Sequence, residues 1–302
     1  MFSKLLAATE TPLYCIECVR TAFRIAERHD AKVFLLHVLE SETPLYRIYV
    51  RHFRSGKEIV ANNAYIREVE KELRKNCSSA GKFWENCEIR VKPGLPWEEI
   101  LKLARDKNVD LILMNPRSRR DDGEGIGSTV GAVVRRERCP VMIVNQFPSK
   151  EQLQFKTLMA CIDFSASCVQ ALAFAVKLAQ VYTSKINLFH VLQTATKSER
   201  KQKALMQETR NKLEDLGREI PGSISRETVI WEGSQPHLEI LRAARDKDVD
   251  MIVMGSHTKA AGTQWYVGSV AERVSSRSAC PVSVVTDPKA IKRWKQNKTR
   301  AE

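Results

Sequence analysis

The sequence predicts an α/β protein made of two tandem copies of a doubly wound fold, each built on a parallel sheet of five strands. Two observations predict this fold: the chain repeats itself internally, and short apolar runs alternate with amphipathic helical stretches in both copies. Such alternation is typical of parallel sheets with right-handed crossovers. The length of 302 residues also suits two domains of about 150 residues each.

Two pairs of matching segments define the repeat. Residues 36–38 (LHV) match residues 189–191 (FHV) at an offset of 153, and residues 104–110 (ARDKNVD) match residues 244–250 (ARDKDVD) at an offset of 140. The first copy therefore carries 13 extra residues (153 − 140) near 41–62.

The elements of the second copy follow in order from its apolar pattern. Residues 157–162 form a short continuous apolar run, which is typical of a parallel strand buried on both faces. Asp163 ends this strand, and Ser165 is predicted to cap the helix that follows. The remaining elements are strands at 185–191, near 228–231, at 249–254 and at 281–285, with helices at 199–216 and 236–247.

The predicted organisation is a first domain at 1–148, a second domain at 153–288 and a basic tail at 289–302. The 49 Lys and Arg residues exceed the 36 Asp and Glu residues, which gives a formal charge of +13. The tail alone holds six basic residues and one acidic residue. Basic tails are usually solvated extensions, although some contact nucleic acid or anionic surfaces.

The composition excludes several classes of protein. No apolar run reaches the roughly 18 residues needed to cross a bilayer, so we expect no membrane insertion. The first residues do not read as a signal peptide, because the apolar stretch ends almost at once at Thr9-Glu10. Eight cysteines without an export signal predict reduced thiols and a cytoplasmic protein.

The second copy carries a glycine-containing loop after its fourth strand. In an open parallel sheet, ligands bind beyond the carboxyl ends of the strands, where the direction of winding reverses. If the first and fourth strands are neighbours, Asp163 and the loop that starts at Gly255 line this crevice. Gly268-Ser269 then opens a helix whose N-terminus favours anions, and glycine lets backbone N–H groups approach phosphate closely.

This loop resembles that of the universal stress protein family, and the resemblance covers nearly the whole of both copies. Nucleotide-binding members carry Gly-x2-Gly-x9-Gly-Ser/Thr after the fourth strand and an aspartate at the end of the first. The second copy keeps Asp163, Gly255, Gly268 and Ser269, but Thr258 stands at the second glycine. A β-branched residue is strained where φ is positive, so this substitution bears directly on binding.

The resemblance implies a Rossmann-like fold of the adenine nucleotide alpha hydrolase type. It also implies a site for ATP or a related adenine nucleotide, with or without Mg²⁺, in which Asp163 binds the nucleoside and Val191 packs on the base. The other residues implied at this site are Met254, Gly255, His257, Thr258, Gly268, Ser269 and Val270. The two copies are further expected to pair within the chain through the strands at 141–144 and 282–285, because unpaired apolar edges favour aggregation.

The first copy departs much further from this pattern. Glu10 replaces the aspartate, Asn115 and Ser118 replace the two leading glycines, and the loop is one residue shorter. Only Gly127-Ser128 remains. We therefore expect the first copy to have lost the site.

Two further patterns have simpler structural explanations. Cys15-x2-Cys18 has the spacing of a redox or zinc motif, but no second ligand pair accompanies it, so we expect small buried residues on a helix. The insertion near 41–62 mixes basic and aromatic residues, as RNA-binding segments do. An amphipathic helix covering the neighbouring domain or a partner subunit is the favoured interpretation.

Together these features predict a cytoplasmic stress-response sensor or adaptor that binds ATP through its second domain. The alternatives are a regulatory dimerisation module with both sites empty, nucleic-acid association through the tail and insertion, and an enzyme that hydrolyses ATP slowly. No catalytic set of side chains is repeated in the two copies, so the sequence shows no residues dedicated to hydrolysis. A homodimer of the tandem chain is also left open.

Overall fold

The computed structural model describes most of the chain and divides it into two units. Residues 2–147 form one unit, and the residues from 148 onward form the other. The described residues are 1–13, 16–41, 48–80, 82–117, 125–193, 199–256, 260–261, 264–265 and 267–286.

The first unit is a parallel sheet with helices between its strands. Its strands are β1 (Lys4–Thr9), β2 (Lys32–Glu40), β3 (Tyr49–Arg51), β4 (Glu58–Val60), β5 (Cys87–Gly94), β6 (Leu111–Met114) and β7 (Val141–Ile143). Its helices are α1 (Glu17–His29), α2 (Asn63–Cys77), α3 (Pro96–Lys107) and α4 (Ser128–Arg136), with 3-10 turns at Ser78–Ala80 and Lys82–Asn86. Parallel pairing gives the order β7-β6-β1-β2-β5.

The second unit repeats this plan. Its strands are β8 (Thr157–Cys161), β9 (Lys185–Leu192), β10 (Arg226–Glu232), β11 (Met251–Ser256), β12 (Ala260–Ala261), β13 (Gln264–Trp265) and β14 (Val282–Thr286). Its helices are α5 (Ala166–Tyr182), α6 (Glu199–Arg218), α7 (Pro236–Asp246) and α8 (Ser269–Arg277), with a 3-10 turn at Gln152–Gln154. Parallel pairing gives the order β14-β11-β8-β9-β10. The prediction of two doubly wound parallel sheets is therefore confirmed.

In both sheets the first strand is anchored by an equivalent aspartate, the last residue of the repeated segments ARDKNVD and ARDKDVD. The carboxylate of Asp110 accepts hydrogen bonds from the backbone N–H groups of Ser3 (2.7 Å) and Lys4 (2.9 Å). The carboxylate of Asp250 accepts one from Thr157 N–H (2.9 Å). These bonds fix the amino end of each first strand beside its fourth strand, at the opposite edge from the candidate site.

The insertion of the first unit contains a β-hairpin, so the expected amphipathic helix is wrong for its described part. β3 and β4 pair antiparallel. Val50 is buried while Tyr49 and Arg51 on either side are exposed, which is the alternation of a strand and not the period of a helix. Three-residue strands bury too few side chains for this alternation to be recognised in the sequence. Residues 42–47 lie outside the described part.

Two further properties concern the described residues as a whole. None of their helices is both long enough and apolar enough to cross a membrane. The cysteines among them are free thiols, at positions Cys18, Cys77, Cys87, Cys139, Cys161, Cys168 and Cys280.

Candidate functional site

The winding of the second sheet reverses between β8 and β11, and several predicted ligand residues lie at the carboxyl edge there. β11 pairs with β8 in a register that sets Met254 beside Cys161, so the first and fourth strands are neighbours as the argument required. Asp163 lies two residues beyond the end of β8, and Val191 lies near the end of the adjoining strand β9. Val191 is partly exposed and Asp163 is exposed, so both side chains are open to a ligand.

Asp163 and Ser165 form a hydrogen-bonded turn that starts helix α5. The Asp163 Oδ1 atom accepts hydrogen bonds from the backbone N–H of Ser165 (3.0 Å) and from its hydroxyl (2.6 Å). The Ser165 Oγ atom in turn accepts from the backbone N–H of Cys168 (3.2 Å), which confirms Ser165 as the N-cap. Ser165 thus orients the carboxylate that is predicted to bind the nucleoside.

Gly255 lies directly against the first turn of α5. A Cβ atom at this position would be 2.6 Å from the carbonyl carbon of Ser167 and 2.7 Å from the backbone nitrogen of Cys168. Backbone atoms cannot yield locally as a flexible side chain can, so any side chain here would push α5 away from β11. Gly255 is therefore required by helix packing, which is a reason independent of any phosphate.

In the first unit, a side chain occupies the position that corresponds to Gly255. Helix α1 begins only at Glu17, and its N-cap residue Ile16 provides no side-chain hydrogen bond. Asn115, which corresponds to Gly255, instead accepts from the backbone N–H of Cys18 through Oδ1 (3.2 Å) and donates to Glu17 through Nδ2 (2.9 Å). Asn115 therefore caps α1 from a distant strand, and a polar side chain occupies this part of the first unit.

The start of α8 presents backbone N–H groups at the carboxyl edge of the second sheet. Gly268 is the N-cap residue, and as a glycine it has no side chain with which to cap the helix. Its φ of −57° is accessible to any residue, so glycine is not needed there for conformation. Ser269 is exposed and Val270 partly exposed. Because a helix N-terminus attracts anions, this end suits a phosphate group.

A buried hydroxyl lies at the end of β11. Ser256 is almost completely buried, and its Oγ atom has no hydrogen-bond partner among the described residues. Buried polar atoms are normally hydrogen-bonded, so an unpartnered one beside a proposed ligand site fits a missing polar ligand. No sequence pattern marks Ser256, since only burial distinguishes it from other serines. The two remaining predicted residues, His257 and Thr258, lie outside the described residues.

The equivalent edge of the first unit carries different residues. Glu10 is exposed at the end of β1. Gly127 is the N-cap of α4, again without a side-chain cap, and its N–H donates to the carbonyl oxygen of Pro116 (2.7 Å). Arg117 packs beside Gly127. Ser118, which replaces the second glycine, lies outside the described residues.

The two repeated histidines, His37 and His190, have a structural role. His37 Nδ1 lies 2.9 Å from the carbonyl oxygen of Thr9, and His190 Nδ1 lies 2.8 Å from that of Ile162. Each ring therefore ties the end of the second strand to the end of the first. Burial lowers the pKa of His37 below its usual value of 6.5, so this ring is neutral near pH 7.

The thiols near the edge are poor nucleophiles. Burial, with a smaller contribution from the Asp163 carboxylate, raises the pKa of both the Cys161 and the Cys168 thiols. A protonated thiol neither attacks an electrophile nor binds a soft metal well. Cys18 is fully buried on α1, as expected, and Cys15 lies outside the described residues. No group of three or more His, Cys, Asp or Glu residues that could hold a metal occurs in the described part of the chain.

Comparison with known proteins identifies the family. Residues 1–145 and 154–286 each match the universal stress protein family. The chain belongs to this family. The two matches cover both repeats, so this universal stress protein is a tandem of two family domains.

Individual relatives agree with this assignment. A universal stress protein of Methanocaldococcus jannaschii is 38% identical over 81 residues, which are 27% of this chain and half of the relative. One of Bacillus subtilis is 29% identical over an alignment of 147 positions, which covers 43% of this chain and 99% of the relative. The solved structure of a universal stress protein from Archaeoglobus fulgidus has a TM-score of 0.64 at 20% identity, covering 94% of this chain and 98% of its own. At that identity the likeness shows the fold.

Proposed function

We propose that the second unit binds an adenine nucleotide, with ATP as the expected ligand, and that the protein acts as a stress-response sensor or adaptor. One observation carries the proposal: three groups suited to a nucleotide share the carboxyl edge of one sheet. They are the exposed carboxylate of Asp163, the buried hydroxyl of Ser256, which has no partner among the described residues, and the N-terminus of α8, where Gly268 is the N-cap. Their position at the reversal of winding supports the proposal further.

Each group has a distinct role in this proposal. The first N–H groups of α8, at Ser269 and Val270, donate to phosphate oxygens. Asp163 accepts hydrogen bonds from the nucleoside hydroxyl groups, while its contact with Ser165 holds it in place. The partly exposed Val191 packs on the base. Any Mg²⁺ would enter with the phosphates of ATP, which are its usual ligands in nucleotide sites.

Mass spectrometry of nucleotide released from the purified protein tests the proposal. We expect an adenine nucleotide at no more than one per chain. Gly268→Val should abolish it, because the branched side chain would block phosphate from the amides of α8. Gly127→Val is the matched control in the first unit and should leave the nucleotide content unchanged. Protein that releases no nucleotide and takes up no added ATP would contradict the proposal and favour a dimerisation module with empty sites.

We also propose that the two units pair through the strands at 141–144 and 282–285. An exposed apolar edge strand is a template for aggregation, and mutual pairing would cover both edges. Cysteines introduced at Met142 and Val284 should then form a disulfide within one chain under oxidising conditions. If they crosslinked only between chains, a homodimer would replace the intramolecular pair.

A further inference from the structure

Helices α2 and α6 are equivalent elements of the two units. Each packs on its own unit through a matching row of buried residues, the seam. Each follows the second strand of its sheet and precedes the third. Buried residues recur every four positions, at Tyr65, Val69, Leu73 and Cys77 in α2 and at Thr209, Leu213 and Gly217 in α6. The offset of 140 between these seams is the offset that relates the ARDK segments. Leu205 is therefore the counterpart of Tyr65.

In the first unit this end of the seam is covered by the β-hairpin. Tyr65 is only 5% exposed. The ring of Phe53, at the hairpin tip, stacks 6.1 Å from the Tyr65 ring, and its backbone N–H donates to the Tyr65 hydroxyl (3.0 Å). The next residue, Arg54, forms an ion pair (2.5 Å) with Glu72, which lies seven residues after Tyr65 on α2. An aromatic residue followed by a charge thus holds the tip on α2.

The second unit has no counterpart of this hairpin among its described residues, and the equivalent surface is open. Leu205 is 42% exposed. Phe164, in the turn that follows β8, is 40% exposed and has a φ of 59°. The ammonium group of Lys212 lies 6.0 Å from the centre of the Phe164 ring. A left-handed backbone at a non-glycine residue costs about 1 kcal/mol or more and is typical of functional surfaces.

The charge on this surface is the reverse of that in the first unit. At the offset of 140, Lys212 corresponds to Glu72, the partner of Arg54. Lys212 pairs with Glu208 one turn away on the same exposed helix face (2.6 Å). The exposed residues Arg200, Lys201 and Lys203 make the start of α6 basic. A segment that docks here as the hairpin docks on α2 must therefore present a carboxylate where the hairpin presents Arg54.

We propose that Leu205, Lys212 and Phe164 form a docking surface for a segment of a partner protein. The segment presents an aromatic side chain to Leu205 and, at the following position, an Asp or Glu to Lys212. Leu205 and Lys212 are seven residues apart, about 10 Å along the helix, which is the separation that Phe53 and Arg54 bridge on α2. The hairpin of a second copy is a poor occupant, because its Arg54 would meet Lys212.

A designed peptide tests this surface in the full chain. The probe is residues 48–62 closed by a disulfide between added terminal cysteines, in the natural form and with Arg54→Glu. Nuclear magnetic resonance of the methyl groups of Leu205 and the ring of Phe164 reports binding, even at millimolar affinity. We expect the Arg54→Glu peptide to shift these signals and to bind about tenfold more tightly than the natural peptide, since like charges in contact repel. Lys212→Glu should reverse that preference.

Leu205→Asp should abolish the peptide-induced shifts at Phe164. Leu238→Asp is the matched control, because Leu238 is a similarly exposed leucine (39%) on α7 and should leave binding unchanged. Equal affinity for the two peptides, or signals that neither peptide moves, would overturn the proposal. Self-association of the chain that Leu205→Asp removes, measured by sedimentation, would also overturn it by identifying a second copy as the occupant.

Discussion

Gly255 should not tolerate even a methyl side chain. Gly255→Ala would place a Cβ atom 2.6 Å from the carbonyl carbon of Ser167 and 2.7 Å from the backbone nitrogen of Cys168. Relief requires the whole first turn of α5 to move off β11. Overpacking of this kind costs about 1–3 kcal/mol. We therefore expect Gly255→Ala to lower the free energy of unfolding of the second unit by about 2 kcal/mol.

The sign of the change in stability distinguishes a glycine that packing requires from a glycine that has room for a Cβ atom. At a strand position with room for a Cβ, replacing glycine by alanine stabilises by about 0.5–1 kcal/mol, because the unfolded chain loses entropy. For a unit of this size, a loss of about 2 kcal/mol lowers the melting temperature by about 4–8 °C. Calorimetry without nucleotide measures that shift. Hydrogen exchange with mass spectrometry assigns it to β11 and to α5.

Gly222→Ala provides the matched control in the same unit. No atom lies within 4 Å of the Cβ that it would add, and the backbone φ is not in the left-handed region. This variant should be as stable as the natural protein or slightly more stable. If Gly255→Ala melted at the same temperature as Gly222→Ala, the argument that α5 dictates this glycine would be refuted.

Three further outcomes follow from the fold. Asn115→Ala should destabilise the first unit by about 1 kcal/mol and speed hydrogen exchange at the start of α1, because the cap on Cys18 is lost. Because burial lowers the pKa of His37 below 6.5, only the unfolded chain gains a proton there, so stability should fall as the pH drops below 6.5. His37→Gln should flatten that fall in denaturant titrations at a series of pH values. Deleting 289–302 should shift the melting temperature only slightly, and any nucleic-acid binding should weaken and lose salt dependence.

The strands and helices of the sheets could be predicted closely because their signal is local. The run at 157–162 is apolar throughout, and the observed strand covers Thr157–Cys161. The helix predicted at 199–216 is observed at Glu199–Arg218. A parallel strand buried on both faces must be apolar along its length, so the sequence alone reveals it.

The remaining features depend on contacts between distant parts of the chain. Asn115 caps α1 from 97 residues away, so no local capping pattern marks it. The sequence pattern predicts that Gly255 serves phosphate binding, and only the position of α5 shows that it also serves packing. The unpartnered state of the Ser256 hydroxyl depends on its burial in the folded unit. Such signals arise from tertiary structure and have no counterpart in local residue patterns.

Calorimetric titration of ATP into the natural protein and four variants tests the central claim most directly. We predict at most one site per chain, weakened by Asp163→Ala, abolished by Gly268→Val and unchanged by Glu10→Ala. Thr258→Gly should tighten binding, because it restores the glycine that nucleotide-binding members carry at that position. Loss of binding in Glu10→Ala together with full binding in Asp163→Ala would contradict the account, because the working site would then lie in the first unit.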